Sequence, residues 1–145
     1  KRRDVWLSVF FGIAPDLFSW TIYMLYNLFS GSFARGRPNL ESIPSWMFTL
    51  YGITHSIIVF AVVILLIYLL LKRVPIYIWA WLLHILIDIP THSREFLPTP
   101  FLWPISRWVF PGLSWGTRWF FLSYWIVIIC LFIGILIRGK RKKKR

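Results

Sequence analysis

With 145 residues, 58% of them hydrophobic and 20% aromatic, the chain lies well above the roughly 45 to 50% apolar content of soluble domains, so an ordinary water-soluble fold is not the first expectation. Its formal net charge of +12 does not point to nucleic acid, because seven of the seventeen basic residues crowd into Arg138 to Arg145, a cluster that suits an anionic lipid surface. The single cysteine, Cys130, stands inside an apolar run and excludes an intramolecular disulfide.

In chain order, Lys1-Arg2-Arg3 and the apolar Val5 to Ala14 imitate a signal peptide. No small-x-small cleavage pattern follows, and Pro15 stands where a scissile bond would fall, so a retained helix is expected. The chain opens without a methionine, and a fragment of a longer protein is the matching expectation. The first apolar segment, Val5 to Phe29, should be broken or kinked near Gly12 and Pro15, since proline removes a backbone donor and biases its predecessor away from helix. Ser30 to Ser45 reads as a loop with two glycines and two prolines. Trp46 to Leu71 is the second apolar segment, and the Lys72-Arg73 turn leads to a short third one, Val74 to Ile89, ended by Pro90. Pro90 to Arg118 is a second loop, whose Trp103, Trp108 and Trp115 suit an interfacial or re-entrant layer. Trp119 to Ile137 is the fourth segment.

The expected fold is all-α, a polytopic membrane bundle of about four transmembrane helices. One domain would cover residues 1–137, with a basic cytoplasmic tail over 138–145. If the segments cross in turn, the N-terminus, the Lys72-Arg73 turn and the tail share a side with twelve basic residues, against five (Arg35, Arg37, Arg94, Arg107, Arg118) on the other. The positive-inside rule then puts both termini in the cytoplasm and both long loops outside.

Ionisable groups inside apolar segments are costly, about 2.5 to 3.5 kcal/mol on insertion scales, and default to functional or paired roles. Asp16, His55, His84 and Asp88 are the ones present. At about 1.5 Å per helical residue they fall in one slab roughly 15 to 24 Å from the cytoplasmic ends of their segments. His84 and Asp88, four apart, share a helix face. Imidazole and carboxylate are ligands for zinc, with manganese or iron as alternatives, and a bound divalent ion would make water acidic enough to attack an ester. The competing interpretation is a structural network in which Asp88 and His84 satisfy each other and Asp16 caps the break at Pro15. Thr54 and Ser56 flank His55 and could orient it, or bond to the preceding turn. In the outer loop, His92 and Glu95 are candidates for a general base, and Arg94 and Arg107 for clamping a phosphate or carboxylate of a substrate; interfacial anchoring is the alternative for all four.

The motifs Gly12-Ile13-Ala14-Pro15-Asp16, Gly52-Ile53-Thr54-His55-Ser56, His84-Ile85-Leu86-Ile87-Asp88 with Thr91, and Phe101-Leu102-Trp103-Pro104 occur in that order. Together they resemble the YdjM-like family of membrane-bound metal-dependent hydrolases, over roughly residues 10 to 106. The resemblance implies a multi-pass inner-membrane protein of a bacterial or archaeal cell. It also implies a His/Asp metal centre on Asp16, His55, His84 and Asp88, distantly similar to zinc-dependent phospholipase C. Phe18 stands where such families often carry a second aspartate, and Leu50-Tyr51 where a His-Arg pair is common. The expected function is metal-dependent hydrolysis, with zinc favoured, of a phosphoester or lipid-like substrate at the outer interface. The expected partners are membrane lipids, including anionic lipid at the tail, and no nucleic acid. Two rivals stand beside it: a proton- or ion-coupled transporter, and a noncatalytic scaffold whose polar residues lock helices together.

Overall fold

The structure is a computed structural model that describes residues 2–33 and 38–143. Arg35, Arg37 and the end of the basic tail lie outside the described residues. Every regular element among those described is helical: α1 Arg2–Leu17, α2 Trp20–Phe29, α3 Ser45–Thr54, α4 Ile57–Leu71, α5 Trp79–Thr91 and α6 Arg118–Lys143, with short 3-10 turns at Leu40–Ser42 and Ile76–Ile78. The chain divides into two compact units, residues 1–112 and 113–145.

The second unit is in essence α6. Its stretch Arg118–Gly139 is 22 residues long with none of its apolar window buried. At 1.5 Å per residue it reaches about 33 Å, enough to cross a bilayer core of about 30 Å. Cys130 is exposed on it as a free thiol.

The first unit is built from two bent helix pairs and α5. α1 and α2 meet at 56°, α3 and α4 at 53°. Pro15 is tolerated inside α1, and the break falls one turn later, at Phe18 and Ser19. Proline withdraws one donor, yet Phe18 still closes a turn on the Ala14 carbonyl at 2.9 Å. The Ser19 hydroxyl then takes the Pro15 carbonyl at 2.7 Å, a local side-chain bond that competes with helix continuation.

The second break, at His55 and Ser56, interrupts what the sequence presents as one apolar run from Trp46 to Leu71. Several of the polar groups it frees have identified partners. Ser56 caps α4 by accepting from Ile58 and Val59, and its hydroxyl donates to the Trp103 carbonyl. The Ile57 N–H donates to the Phe101 carbonyl at 2.9 Å, and the Trp81 indole N–H donates to the Thr54 carbonyl at 2.7 Å. The proline-rich segment around Pro100 to Pro104 therefore sits on the break as its backbone complement, which lets irregular backbone persist in an apolar setting.

α1 packs along α5 and the turn before it, with Gly12 facing the Ala80 methyl. Two apolar clusters flank the break. One joins Tyr23, Ile43, Met47, Tyr51 and Leu97; the other joins Phe60, Ile78 and Ile85, with Phe11 and Phe101 packed against it. α5 runs on past the expected stop, through Pro90 to Thr91, because the Thr91 hydroxyl donates to the Ile87 carbonyl at 2.9 Å and the His92 N–H to Asp88 at 3.1 Å.

Gly52 marks the tightest contact at the break, since a methyl there would meet the Trp103 ring at 2.9 Å. Gly52→Ala should destabilise the protein by about 1 to 3 kcal/mol through overpacking. Unfolding in detergent micelles measures this, and a wild-type midpoint would disprove the packing.

Candidate metal centre

Three helix ends deliver the polar side chains. Asp16 is the penultimate residue of α1, His55 is the residue capping the end of α3, and Asp88 lies in the last turn of α5 one turn after His84. Their side chains converge on one point. His55 Nε2 lies 3.5 Å from Asp16 Oδ1, 3.4 Å from Asp88 Oδ2 and 3.2 Å from His84 Nε2. His84 Nε2 lies 3.2 Å from Asp88 Oδ2 and 3.9 Å from Asp16 Oδ2. Asp16, His55 and His84 form a group that could hold a metal ion, with one donor atom from each within 4.8 Å of the others.

The spacing is informative. Nitrogen and oxygen ligands bound tetrahedrally at 2.0 to 2.2 Å stand about 3.3 to 3.6 Å from one another. The separations around His55 fall in or next to that range.

The hydrogen bonds behind His55 set its tautomer. The Thr54 hydroxyl has one proton, aimed at the Leu50 carbonyl at 2.9 Å, so its oxygen accepts from His55 Nδ1, also at 2.9 Å. The Tyr51 carbonyl stands 3.2 Å from the same nitrogen. A proton fixed on Nδ1 leaves the Nε2 lone pair facing the cluster, the arrangement by which a supporting shell orients a histidine ligand. The Tyr51 ring lies against the imidazole at 4.0 Å between centroids and completes its burial.

Electrostatics favour a cation at the same point. Two carboxylates face it, and three helix C-termini approach it, each carrying about half a negative elementary charge. Among the described residues no lysine or arginine pairs with Asp16 or Asp88; the groups facing their carboxylates are the histidines. Exposure is uneven: the His55 side chain is fully buried, those of His84 and Asp88 are nearly so, and that of Asp16 is 57% exposed. The centre opens beside Asp16.

The outer-loop candidates separate. His92 joins the cluster's edge, with Nδ1 3.9 Å from Asp88 Oδ1 and 3.2 Å from the Asp88 carbonyl. Arg94 spans the loop to donate to the Val109 carbonyl at 3.3 Å. Glu95 is exposed with no contact to the cluster, and Arg107 lines a cavity together with Tyr51. Of the two residues flanking His55, Thr54 supports the imidazole and Ser56 is committed to the helix break. Sequence reasoning passed over Tyr51 and Trp81. Tyr51 had a readable signal, lying four residues before His55 on one helix face; the Trp81 bond is purely tertiary.

Comparison with protein-family profiles, curated proteins and solved structures gives no match, so the geometry carries the functional argument.

Thr54→Val should weaken divalent-metal affinity about 10- to 100-fold by releasing the His55 ring. Ser56→Ala should leave affinity near wild type while lowering stability by about 1 to 2 kcal/mol. Metal titration beside thermal unfolding separates the two, and equal affinity losses would contradict the division of labour.

Proposed function

We propose that this chain is a polytopic membrane-bound metal-dependent hydrolase acting on a phosphoester or lipid-like substrate at the outer membrane interface. The observation that carries the reading is the facing of His55 Nε2 by Asp16, Asp88 and His84 Nε2 at 3.2 to 3.5 Å, close to the separations of ligands on a shared ion. Asp88 is the fourth ligand in this reading, and zinc the favoured ion. The order of the Pro15-Asp16, Thr54-His55-Ser56 and His84-to-Asp88 motifs, which resembles the YdjM-like family, supports it.

Each bent pair serves as one span, joined by α6 and by the shorter apolar stretch Ile76–Thr91. The distribution of basic residues then favours cytoplasmic termini and an inner-membrane location, with the tail against anionic lipid.

A divalent ion at this centre supplies Lewis acidity and an acidic water. The protein's own part is to hold His55 rigid between Thr54 and Tyr51, and to keep the inner side dry. Access is left beside Asp16, where Ile13, Leu17 and Phe18 are exposed. That apolar surround favours a substrate that reaches the centre from the lipid layer. His92, at the outer edge of Asp88, is placed to exchange a proton with the reacting groups, and it is better placed than Glu95.

One observation favours a second reading. Helices broken at the site, with their C-terminal ends turned toward it, are how ion-coupled transporters hold cations. Flux across proteoliposomes without turnover would select transport.

The purified protein should carry about one divalent ion per chain, lost in His84→Ala and Asp88→Ala, because each removes a ligand. Hydrolysis of a chromogenic phosphodiester in mixed micelles should fall about 10³-fold or more in both variants and on chelation. A metal-free wild type would exclude this function.

A further inference from the structure

A cavity of about 390 Å³ is lined by Tyr51 but by none of the four cluster residues. This is within the range of about 300 to 1,000 Å³ typical of small-molecule sites. Its wall is mostly apolar: Phe48, Tyr51, Leu97, Pro98 and Trp103 contribute, and Arg107 is the one charged residue lining it. Among the described residues no carboxylate pairs with Arg107. A lone guanidinium on a hydrocarbon wall is complementary to a ligand with an oxyanion head and an apolar body.

The cavity wall is fixed by its frame. Leu97 is buried with φ of 44°, a left-handed conformation that costs a branched residue about 1 to 2 kcal/mol. It is retained where the Leu97 carbonyl accepts from the Tyr51 hydroxyl at 3.2 Å. On another side, Arg94 pins Val109, also a lining residue, through its carbonyl. Two long-range bonds thus fix the positions of Tyr51, Leu97 and Val109 in the lining.

We infer that this cavity is a binding site for a single-chain anionic amphiphile drawn from the membrane, with its phosphate or carboxylate head on Arg107 and its chain along Leu97, Trp103 and Phe48. Charge complementarity and apolar lining choose this ligand over a neutral lipid or a free anion. In the proposed topology Arg107 belongs to the outer loop, where an arginine reaches the headgroup layer while its cavity faces hydrocarbon. The inference rests on that topology and not on the metal chemistry, so the two readings fail separately. A bound amphiphile would touch Tyr51, whose ring also lies against His55 at 4.0 Å between centroids.

The test uses the full chain in phosphatidylcholine nanodiscs with a diazirine-bearing dodecyl phosphate, followed by peptide mapping after irradiation. Labelling should concentrate on residues 48–51 and 97–109 and exceed that by the matching dodecanol probe. Arg107→Gln should reduce it about tenfold or more, the loss expected of a hydrogen bond to a charged group. Val109→Trp, which fills the cavity with Arg107 intact, should reduce it similarly, and a wild-type circular dichroism spectrum and unfolding midpoint show that both variants are folded. Labelling spread evenly over α4 and α6, or equal labelling by the alcohol, would refute the site. Competition by inorganic phosphate at the concentration of the probe would also refute it, by assigning a free anion.

Discussion

The structure depends on how one interruption of backbone hydrogen bonding is repaired. Between Thr54 and Ile57 the helix stops within an apolar run, where water is scarce and unpaired amides are expensive. The repair comes from the Ser56 hydroxyl at the break and from three distant groups, the Trp81 indole and the Phe101 and Trp103 carbonyls. Without it His55 would sit mid-helix, its ring directed by the helix alone. With it, His55 occupies the end of α3, and its imidazole turns inward against Tyr51.

The same device brings the other donors within reach. α1 ends at Leu17 and α5 soon after Asp88, so three helices present their negative ends and their acidic or imidazole side chains to a common point. Packing of α1 on α5, with Gly12 against Ala80, sets the distance between Asp16 and His84. Chemistry and architecture are therefore hard to separate. The residues that stop the helices are next to the residues that face the cluster, and a change that healed either break would also turn a donor away.

Much of this was legible beforehand, for physical reasons. Charged and imidazole groups in apolar segments stand out because their burial is costly, so Asp16, His55, His84 and Asp88 could be picked from composition and depth alone. The helical character of each segment followed from apolar runs bounded by loops, although α6 runs on to Lys143, past the expected end at Ile137 and into the basic tail. The break at His55 was not legible. Trp46 to Leu71 contains no proline, and its one glycine, Gly52, lies within helix; what halts the chain is a serine cap whose hydroxyl is claimed by a carbonyl 47 residues away. The break expected near Pro15 is present but falls one turn later, at Phe18 and Ser19, where the Ser19 hydroxyl bonds to the Pro15 carbonyl. Among loop residues, sequence could not tell Arg94 from Arg107, because their difference lies in whether a backbone carbonyl or a cavity stands in front of the guanidinium.

The separation between the break and its partners has a consequence for biogenesis. Thr54 to Ile57 leave the ribosome well before Trp81, Phe101 and Trp103 have been made. A nascent chain at that stage has not yet made the native partners of the Thr54 carbonyl, the Ile57 N–H and the Ser56 hydroxyl. In the proposed membrane topology those groups need shelter from hydrocarbon until the proline-rich segment arrives to pair them. Assembly of the His55 half of the centre is thus timed by synthesis of the second loop.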